Sequence, residues 1–347
     1  HVDVVPAGPG WVTDPFKMTR REGWLLGRGV IDDKGPAVLS LYAGAFLLRE
    51  GIVARYTFRA LLGCDEEVGM SDVRHYLERH DDPLFLFTPD AEFPVCNAEK
   101  GCFGATFRTA AIPGGLIRSW SGAEATNAIP GESVLELALD ASELPAPVAN
   151  ADRLAIEPIE PGASRIVAHG IGGHASLPDG TVNAIALIVG YLRESGILGE
   201  GAAPALDLLE RIHADTAGSG IGIATQSPAF GPLTCNAGTI ALADDGALEQ
   251  TIDVRFPDTI TEGELAAACS ALAKRFGGAV EVDRAKPPFS VDATSPQVRA
   301  LIDIYNQTTG RDGRRHVRAQ LQERRLLRSR GQRYGAARMG GNHARPQ

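Results

Sequence analysis

Cysteines are few and scattered in this chain of 347 residues. The five are Cys64, Cys96, Cys102, Cys235 and Cys269. Their spacing matches neither a zinc finger nor a paired disulfide framework. Because unpaired cysteines are typical of a reducing compartment, we expect a cytoplasmic protein.

Long apolar runs are also missing. No run reaches the length that crosses a bilayer, and no signal peptide is visible. We therefore expect no membrane partner. An initiator methionine is missing as well, because the chain opens on His1-Val2-Asp3. We expect a fragment that lacks its first strands and helices.

An excess of positive charge is absent too. The chain has 34 Lys and Arg against 43 Asp and Glu, a net charge of −9. This balance argues against a nucleic-acid partner. A hydrophobic content of 44% and a charged content of 22% are ordinary for a globular protein. The length allows two domains.

Two carboxylates stand in a turn between an apolar approach and a helix-like segment. They are Asp32 and Asp33, and burying such a pair is costly unless a cation neutralises it. At the chain start, His1 and Asp3 would lie on one face of a strand, because strand side chains repeat every second residue. These residues are candidates to share a cation.

Two further apolar runs end in acidic groups. The first is followed by Glu66 and Glu67, and the second by Asp90. Acidic turns after successive strands are what a metal site at the carboxyl edge of a sheet requires. The alternative is a set of ordinary solvated turns.

Strand-like and helix-like segments alternate over residues 1–106. We predict strands at 1–5, 24–26, 56–62 and 84–87, and helices at 37–49 and 73–79. The face of the first helix would carry Leu39, Ala43, Phe46 and Leu47. This rhythm favours an α/β catalytic domain with a mixed, largely parallel sheet flanked by helices.

The pattern changes at about Phe107. Strands are predicted at 106–111, 133–139, 164–170 and within 239–255, and helices at 183–193 and 262–276. We interpret residues 107–286 as an inserted α+β domain. Residues 287–312, with a helix at 296–308, would return to the first domain. Residues 313–347 form an Arg-rich tail with eleven arginines from Arg311 onward and no lysine.

The motifs together resemble the dinuclear metallopeptidases related to carboxypeptidase G and aminoacylase. Within them, the chain is most similar to the Xaa-His dipeptidase branch, of PepV or Sapep type. The matching text lies at residues 1–8, 29–36, 65–67, 89–94 and 99–101. Weaker matches continue to Gly310, so the resemblance covers about nine tenths of the chain.

The resemblance implies a site for two divalent metal ions, Zn²⁺ or Mn²⁺. His1 and Asp90 would bind one metal, Glu67 the other, and Asp32 would bridge both. A carboxylate-rich donor set with few imidazoles suits either metal.

Two neighbouring carboxylates are implied to act without binding metal. Asp3 would orient His1 and fix its tautomer. Glu66 would be the general base that takes a proton from water and passes it to the leaving amine. Taken alone, the Glu66-Glu67 pair would be a solvated acidic turn.

The inserted domain resembles the lid of this family. His174 would stabilise the oxyanion, with Asn127 assisting, and Arg255 would clamp the terminal carboxylate of the peptide. The alternatives are a surface histidine for His174 and a strand-end salt bridge for Arg255. We interpret His75, His80, His169 and His213 as structural or surface residues.

The tail departs from the family. A Gly-Gly-Thr-Tyr-Ala-Arg stretch and a later metal-binding His are missing. With suitable codons, residues 314–319 and 324–329 read one base out of frame give Gly-Gly-Thr-Tyr-Ala and Ala-Val-Ser-Phe-Gly-Pro. We therefore expect a frameshift near Gly313, and neither His316 nor His343 replaces the missing ligand. A genuine Arg-rich tail is the alternative.

The sequence thus predicts a two-domain metallo-dipeptidase that acts on small peptides, as a monomer. An N-acyl amino acid deacylase of the same superfamily is the alternative within enzymes. An inactive remnant that binds peptides is the alternative of another class.

Overall fold

The computed structural model describes residues 1–7, 11–313, 315–318 and 338–340. They divide into two compact units. Unit 1 contains His1–Glu99 and Phe289–Arg318, and unit 2 contains Lys100–Pro288. The chain therefore crosses between the units after Glu99 and after Pro288, close to the predicted boundaries at residues 106 and 286. The role of unit 2 as a substrate lid stays a prediction.

The described residues form six α-helices. They are α1 (Lys34–Arg49), α2 (Ser71–Leu77), α3 (Ala184–Ser195), α4 (Ala203–Ile212), α5 (Glu262–Arg275) and α6 (Pro296–Thr309). The predicted helices at 37–49, 73–79, 183–193, 262–276 and 296–308 are confirmed to within a few residues.

The described strands number eighteen. The first nine are β1 (Thr19–Arg21), β2 (Trp24–Leu26), β3 (Glu92–Glu99), β4 (Gly101–Arg108), β5 (Ile117–Ser121), β6 (Ala128–Ile129), β7 (Glu132–Leu137), β8 (Leu154–Glu160) and β9 (Ala163–His169). The others are β10 (Gly173–His174), β11 (Gln226–Ser227), β12 (Gly231–Pro232), β13 (Thr234–Leu242), β14 (Leu248–Phe256), β15 (Ala279–Lys286), β16 (Phe289–Ser290), β17 (Arg315–Arg318) and β18 (Arg338–Gly340).

Unit 1 is built around β3. Strand β17 pairs with it in parallel, and β16 and β18 pair with it antiparallel. Helix α6 covers this sheet, and its Val298 and Leu301 pack in a small core with Val95. The N-terminus of α6 is capped by Ser295, whose hydroxyl accepts from the main-chain N–H of Val298. The mixed α/β class is confirmed.

Three strand predictions in unit 1 are wrong. Residues 1–5, 56–62 and 84–87 are described but belong to no strand. Composition indicates an extended chain, but a strand also needs a partner with which to form a ladder. The main-chain N–H of Val2 donates to the carbonyl of Gly63, just after the second segment, at 2.8 Å, but no ladder forms there.

Helix α1 exposes much of its apolar surface. Leu39 is 70% exposed and Phe46 is 50% exposed, whereas Ala37 is buried. The predicted apolar residues therefore lie on a helix, but they do not pack into a core among the described residues.

The larger sheet of unit 2 is antiparallel, in the order β13-β14-β4-β15. Strand side chains alternate between the faces. One face carries Phe103, Phe107 and Val254, which pack with Leu265 and Cys269 of α5 in a fully buried core. The opposite face of the central strands is polar. The strand pair predicted within residues 239–255 is confirmed, and its first strand begins earlier, at Thr234.

A second antiparallel sheet of unit 2 has the order β5-β7-β9-β8. Helix α3 packs on it, and Ile185, Ile188 and Leu192 enter a core with Leu135 and Ile166. The helix begins after Asn183, whose side chain accepts from the N–H of Ile185. The predicted strands at 133–139 and 164–170 are confirmed.

The predicted aberrant tail at 313–347 lies outside the described residues, apart from Gly313 and the backbones of β17 and β18. The side chains of His316 and His343 also lie outside them, so the frameshift stays a prediction. All five cysteines are free thiols, and Cys64 is the exposed one. Within the described ranges, no helix is both long and apolar enough to span a membrane.

Candidate functional site

The turn before α1 presents two adjacent carboxylates in unit 1. Asp33 is the residue before the helix, and its carbonyl accepts from the N–H of Ala37 at 2.9 Å. The helix begins readily here because Pro36 lies in its first turn, where no intrahelical donor is needed. Gly29 has a φ of +83°, which bends the chain into the turn. The turn places the carboxylate of Asp32 beside His1.

His1 is the centre of the cluster and is buried. Its Nε2 lies 2.9 Å from Oδ1 of Asp32, 3.6 Å from Oε2 of Glu66 and 3.8 Å from Oδ2 of Asp90. The side chains of Glu66 and Asp90 are almost fully buried, whereas that of Asp32 is half exposed. Three predicted acidic residues from separate turns therefore converge on one imidazole nitrogen.

The donor atoms fall into two groups that share His1. One group adds Glu66 and Asp90, and the other adds Asp32 and Glu67. Within each group, the candidate ligand atoms lie within 4.8 Å of one another. We call these five residues the candidate metal centre. All four predicted metal ligands are in it, and Glu66 lies beside them.

Asp3 lies next to the candidate metal centre and contacts two parts of it. Its Oδ1 is 3.1 Å from Nδ1 of His1, and its Oδ2 accepts from the main-chain N–H of Glu67 at 3.0 Å. Burial would raise the pKa of Asp3, but the main-chain hydrogen bonds from Glu67 and Glu66 outweigh it and lower the pKa. Asp3 is thus an ionised acceptor for the imidazole.

The candidate metal centre concentrates negative charge. Burial lowers the pKa of His1, but the hydrogen bond to Asp32 and the charges of Glu66 and Asp90 raise it to about 10. Burial, and then the charge of Asp32, raise the pKa of Glu67. The raised pKa of His1 means that the surrounding carboxylates favour a positive charge at this place.

The donor set fits divalent metal ions. Carboxylate oxygens and imidazole nitrogen are the ligands that Zn²⁺ and Mn²⁺ take in proteins. A buried group of carboxylates that a single imidazole cannot neutralise is a favourable place for a cation. The residues present therefore fit a divalent metal ion, as the resemblance implies.

Asp33 also contacts His1, which its sequence pattern did not indicate. Its Oδ2 accepts from the terminal amino group of His1 at 2.8 Å, and its side chain is buried. The adjacency of Asp32 and Asp33 was the available signal, but it could not show which of the two faces the imidazole.

Unit 2 holds the predicted oxyanion residues together. His174 pairs with Ala128 between β10 and β6, and Ala175 donates to the carbonyl of Asn127 at 2.9 Å. The side chain of Asn236 donates to the carbonyl of Ala175 at 2.5 Å. These contacts fix Nε2 of His174 at 3.5 Å from Nδ2 of Asn127.

The tautomer of His174 follows from its neighbour Ser176. The main-chain N–H of Ser176 donates to Nδ1 of His174 at 3.1 Å. Because Nδ1 accepts, the neutral imidazole carries its proton on Nε2. Nε2–H and the Asn127 amide are then two adjacent donors, and two donors side by side suit a negatively charged oxygen.

Arg255 lies on β14 of unit 2 and is buried. Its Nε donates to Oδ1 of Asp253 at 2.7 Å, and its Nη2 donates to Oδ2 at 3.0 Å. The salt bridge considered as the alternative is therefore present. This salt bridge uses the Nε and Nη2 edge of the guanidinium group and does not involve Nη1.

The described histidines outside the motifs belong to neither donor group. His75, His80 and His169 are exposed, as predicted. Nε2 of His213 lies 3.2 Å from Oε1 of Gln250. Burial lowers the pKa of His213 to about 4, so this histidine is neutral in the folded chain.

Comparison with protein-family models assigns the chain to a family. The model described as peptidase family M20/M25/M40 matches residues 1–321. The chain belongs to peptidase family M20/M25/M40. It is therefore a hydrolase that acts on peptide bonds, and metal binding is general in this family.

A curated relative has a related sequence. The Beta-Ala-Xaa dipeptidase of Lactobacillus delbrueckii subsp. lactis is 29% identical over 332 residues. The match covers 90% of this chain and 68% of the relative.

Two solved structures share the fold. Human carnosine dipeptidase 1 matches with a TM-score of 0.55 and 14% identity, over 97% of this chain and 70% of that chain. The M20 family metallo-carboxypeptidase Sso-CP2 from Sulfolobus solfataricus matches with a TM-score of 0.53 and 15% identity, over 97% of this chain and 74% of that chain. At these identities the likeness concerns the fold alone.

Proposed function

We propose that the chain is a metal-dependent dipeptidase of the Xaa-His branch. The observation that carries the proposal is the pair of donor groups that share His1, one with Glu66 and Asp90 and the other with Asp32 and Glu67, with the ligand atoms of each group within 4.8 Å of one another. The 29% identity to a Beta-Ala-Xaa dipeptidase supports a small peptide as substrate.

Each ligand has a proposed place. His1 and Asp90 would hold one metal ion, Glu67 would hold the other, and Asp32 would be shared by both. Asp3 keeps Nδ1 of His1 protonated, so that Nε2 is the ligand atom. The 3.1 Å contact between Asp3 and His1 supports this assignment. Two bound divalent metals, Zn²⁺ or Mn²⁺, would polarise the scissile carbonyl and lower the pKa of water.

Glu66 is the proposed general base. It takes the proton of the attacking water and gives it to the leaving amine. Its carboxylate lies 3.6 Å from Nε2 of His1 and is almost fully buried. This position supports the role because the Glu66 carboxylate lies beside His1, a proposed ligand. The neighbouring Glu67 would bind metal, which leaves Glu66 to carry the proton.

His174 and Asn127 are the proposed oxyanion donors. Nε2–H of His174 and the amide of Asn127 would donate to the oxygen that gains negative charge when water attacks the carbonyl. Hydrogen bonds from Ser176 and Asn236 support this role, because they hold the donors before a substrate binds. Preorganised donors need no rearrangement during the reaction.

Arg255 is the proposed clamp for the terminal carboxylate of the dipeptide. A carboxylate accepts two parallel hydrogen bonds from a guanidinium edge. Asp253 uses the Nε and Nη2 side of Arg255, so the carboxylate would bind at the Nη1 and Nη2 end.

The experiment is to measure hydrolysis of dipeptides and N-acetyl amino acids by protein loaded with Zn²⁺ or Mn²⁺, before and after chelation. We expect metal-dependent hydrolysis of dipeptides and loss of activity on chelation. Faster hydrolysis of N-acetyl amino acids would favour the deacylase. If metal-loaded protein shows no turnover of either class, the chain is not an active dipeptidase.

A further inference from the structure

The carboxylate of Asp253 is shared by two arginines on the polar face of the larger sheet of unit 2. Arg255 donates to both of its oxygens, and Arg284 donates through Nη2 to Oδ2 at 2.5 Å. Asp253 is fully buried, whereas the side chain of Arg284 is 42% exposed. The three residues form an Arg–Asp–Arg triad.

The ladder register explains why these residues meet. Gly104 of β4 pairs with Asp253 on one side and with Arg284 on the other. Residues that are directly opposite in an antiparallel sheet share a face. Because Gly104 has no side chain, the guanidinium of Arg284 can cross β4 and reach Asp253. A Cβ at Gly104 would lie 3.6 Å from Nε of Arg284, which shows how closely Arg284 passes over it.

The charge of the triad is not balanced. Asp253 supplies one negative charge to two guanidinium groups, so the triad keeps one positive charge. Arg255 is buried and its charge is weakly screened, whereas Arg284 is 42% exposed and its charge is partly screened by solvent. The triad therefore attracts an anion mainly through Arg255.

An unsatisfied polar group lies at the same place. Thr234 is the ladder partner of Arg255, and its buried hydroxyl has no hydrogen-bond partner within the part of the chain that the structure describes. A buried polar group without a partner carries a desolvation cost.

The geometry points to Asp253 and Arg284 as positioning residues for a carboxylate subsite at Arg255; the inference rests on the proposed dipeptidase function. Asp253 holds the guanidinium of Arg255 by its Nε and Nη2 edge, so its other end is presented to the ligand. Arg284 takes up part of the negative charge of Asp253. Without Arg284, Asp253 would neutralise Arg255 and weaken its attraction for the substrate carboxylate.

The test measures equilibrium binding by calorimetry, with the dipeptide Ala-Leu and its C-terminal amide as probes. The full chain is treated with a chelator, so that no turnover occurs. The variants are Arg284→Gln, Arg284→Lys and the control Arg118→Gln. Arg118 is a good match because it is 41% exposed and pairs with one carboxylate, Glu160, on the other sheet of unit 2.

We expect wild type to bind Ala-Leu more tightly than the amide. Arg284→Gln should weaken binding of Ala-Leu about three- to tenfold and leave the amide unchanged, since only the carboxylate senses the lost charge. Arg284→Lys keeps the charge and should restore most of the affinity. Arg118→Gln should bind both probes as wild type does.

Two results would overturn the inference. One is equal weakening of Ala-Leu and its amide in Arg284→Gln, which indicates a general structural effect. The other is wild-type protein that does not distinguish the two probes. Because binding is measured without turnover, these results are separate from failure of the dipeptidase proposal, which shows as absent hydrolysis by metal-loaded protein.

Discussion

Asp3 joins His1 to the turn that carries the two glutamates of the candidate metal centre. Its Oδ1 lies 3.1 Å from Nδ1 of His1, and its Oδ2 accepts from the N–H of Glu67 at 3.0 Å. An acceptor at Nδ1 favours the proton there, which leaves the lone pair of Nε2 for a metal. Nε2 is the nitrogen that faces Asp32, Glu66 and Asp90.

Asp3→Asn should weaken metal binding by about 10- to 100-fold, because the amide is a poorer acceptor for the imidazole N–H. The measurement is titration of chelator-treated protein with Zn²⁺ or Mn²⁺. Asp14→Asn is the control, since Asp14 is exposed and also accepts a main-chain N–H, that of Phe16. Equal affinities for Asp3→Asn and wild type would show that Asp3 does not orient the ligand.

Much of the candidate metal centre could be predicted because its residues lie in short motifs. Asp32, Glu66 and Asp90 each follow an apolar segment, and His1 precedes Asp3 by the spacing of a strand face. The structure brings these groups together although the segments before Glu66 and Asp90 are not strands. The order of motifs along the chain was a better guide to the site than the secondary structure around it.

The contacts of Arg255 could not be predicted in the same way. That Asp253 shares its face follows from the period of a strand. That Arg284 reaches the same carboxylate depends on the pairing of β4 with β15 and on a register shift between Val282 and Arg284. Long-range register is not encoded in a local pattern, so no sequence motif pointed to the triad.

His213 should make stability fall in mild acid. Its pKa lies near 4 in the folded chain against an ordinary value of 6.5, mainly because burial disfavours the charged imidazole. The unfolded chain therefore binds more protons between these values. The stabilising contribution is complete above pH 6.5 and is lost as the pH falls toward 4, by up to about 1.4 kcal/mol per pH unit.

Thermal unfolding between about pH 7 and pH 4.5 measures this effect. The melting temperature of His213→Gln should fall less over this range than that of wild type. His80→Gln, at an exposed site, should follow the wild-type curve. Parallel curves for wild type and His213→Gln would contradict the assignment of a buried neutral histidine.

His174→Ala should lower kcat by about 10²- to 10³-fold with a small change in KM, because it removes a donor that acts on the developing oxyanion. Ser176→Ala keeps the main-chain N–H that sets the tautomer of His174, so kcat should fall less than about tenfold. Steady-state kinetics on a dipeptide measure both values. A similar loss in the two variants would mean that the serine hydroxyl, and not the main-chain N–H, holds the imidazole.

Glu66→Gln and Glu67→Gln should separate proton transfer from metal binding. An amide in place of the Glu66 carboxylate cannot take a proton, so Glu66→Gln should lose about 10²- to 10⁴-fold in kcat and keep its metal content. Glu67→Gln removes the charge of a proposed ligand, so it should lose metal affinity, and excess metal should restore part of its activity. Metal content after dialysis and kcat at saturating metal distinguish the variants. If Glu66→Gln lost its metal while Glu67→Gln kept it, Glu66 would be the ligand and Glu67 the general base. The grouping of Glu66 with His1 and Asp90 would explain that outcome.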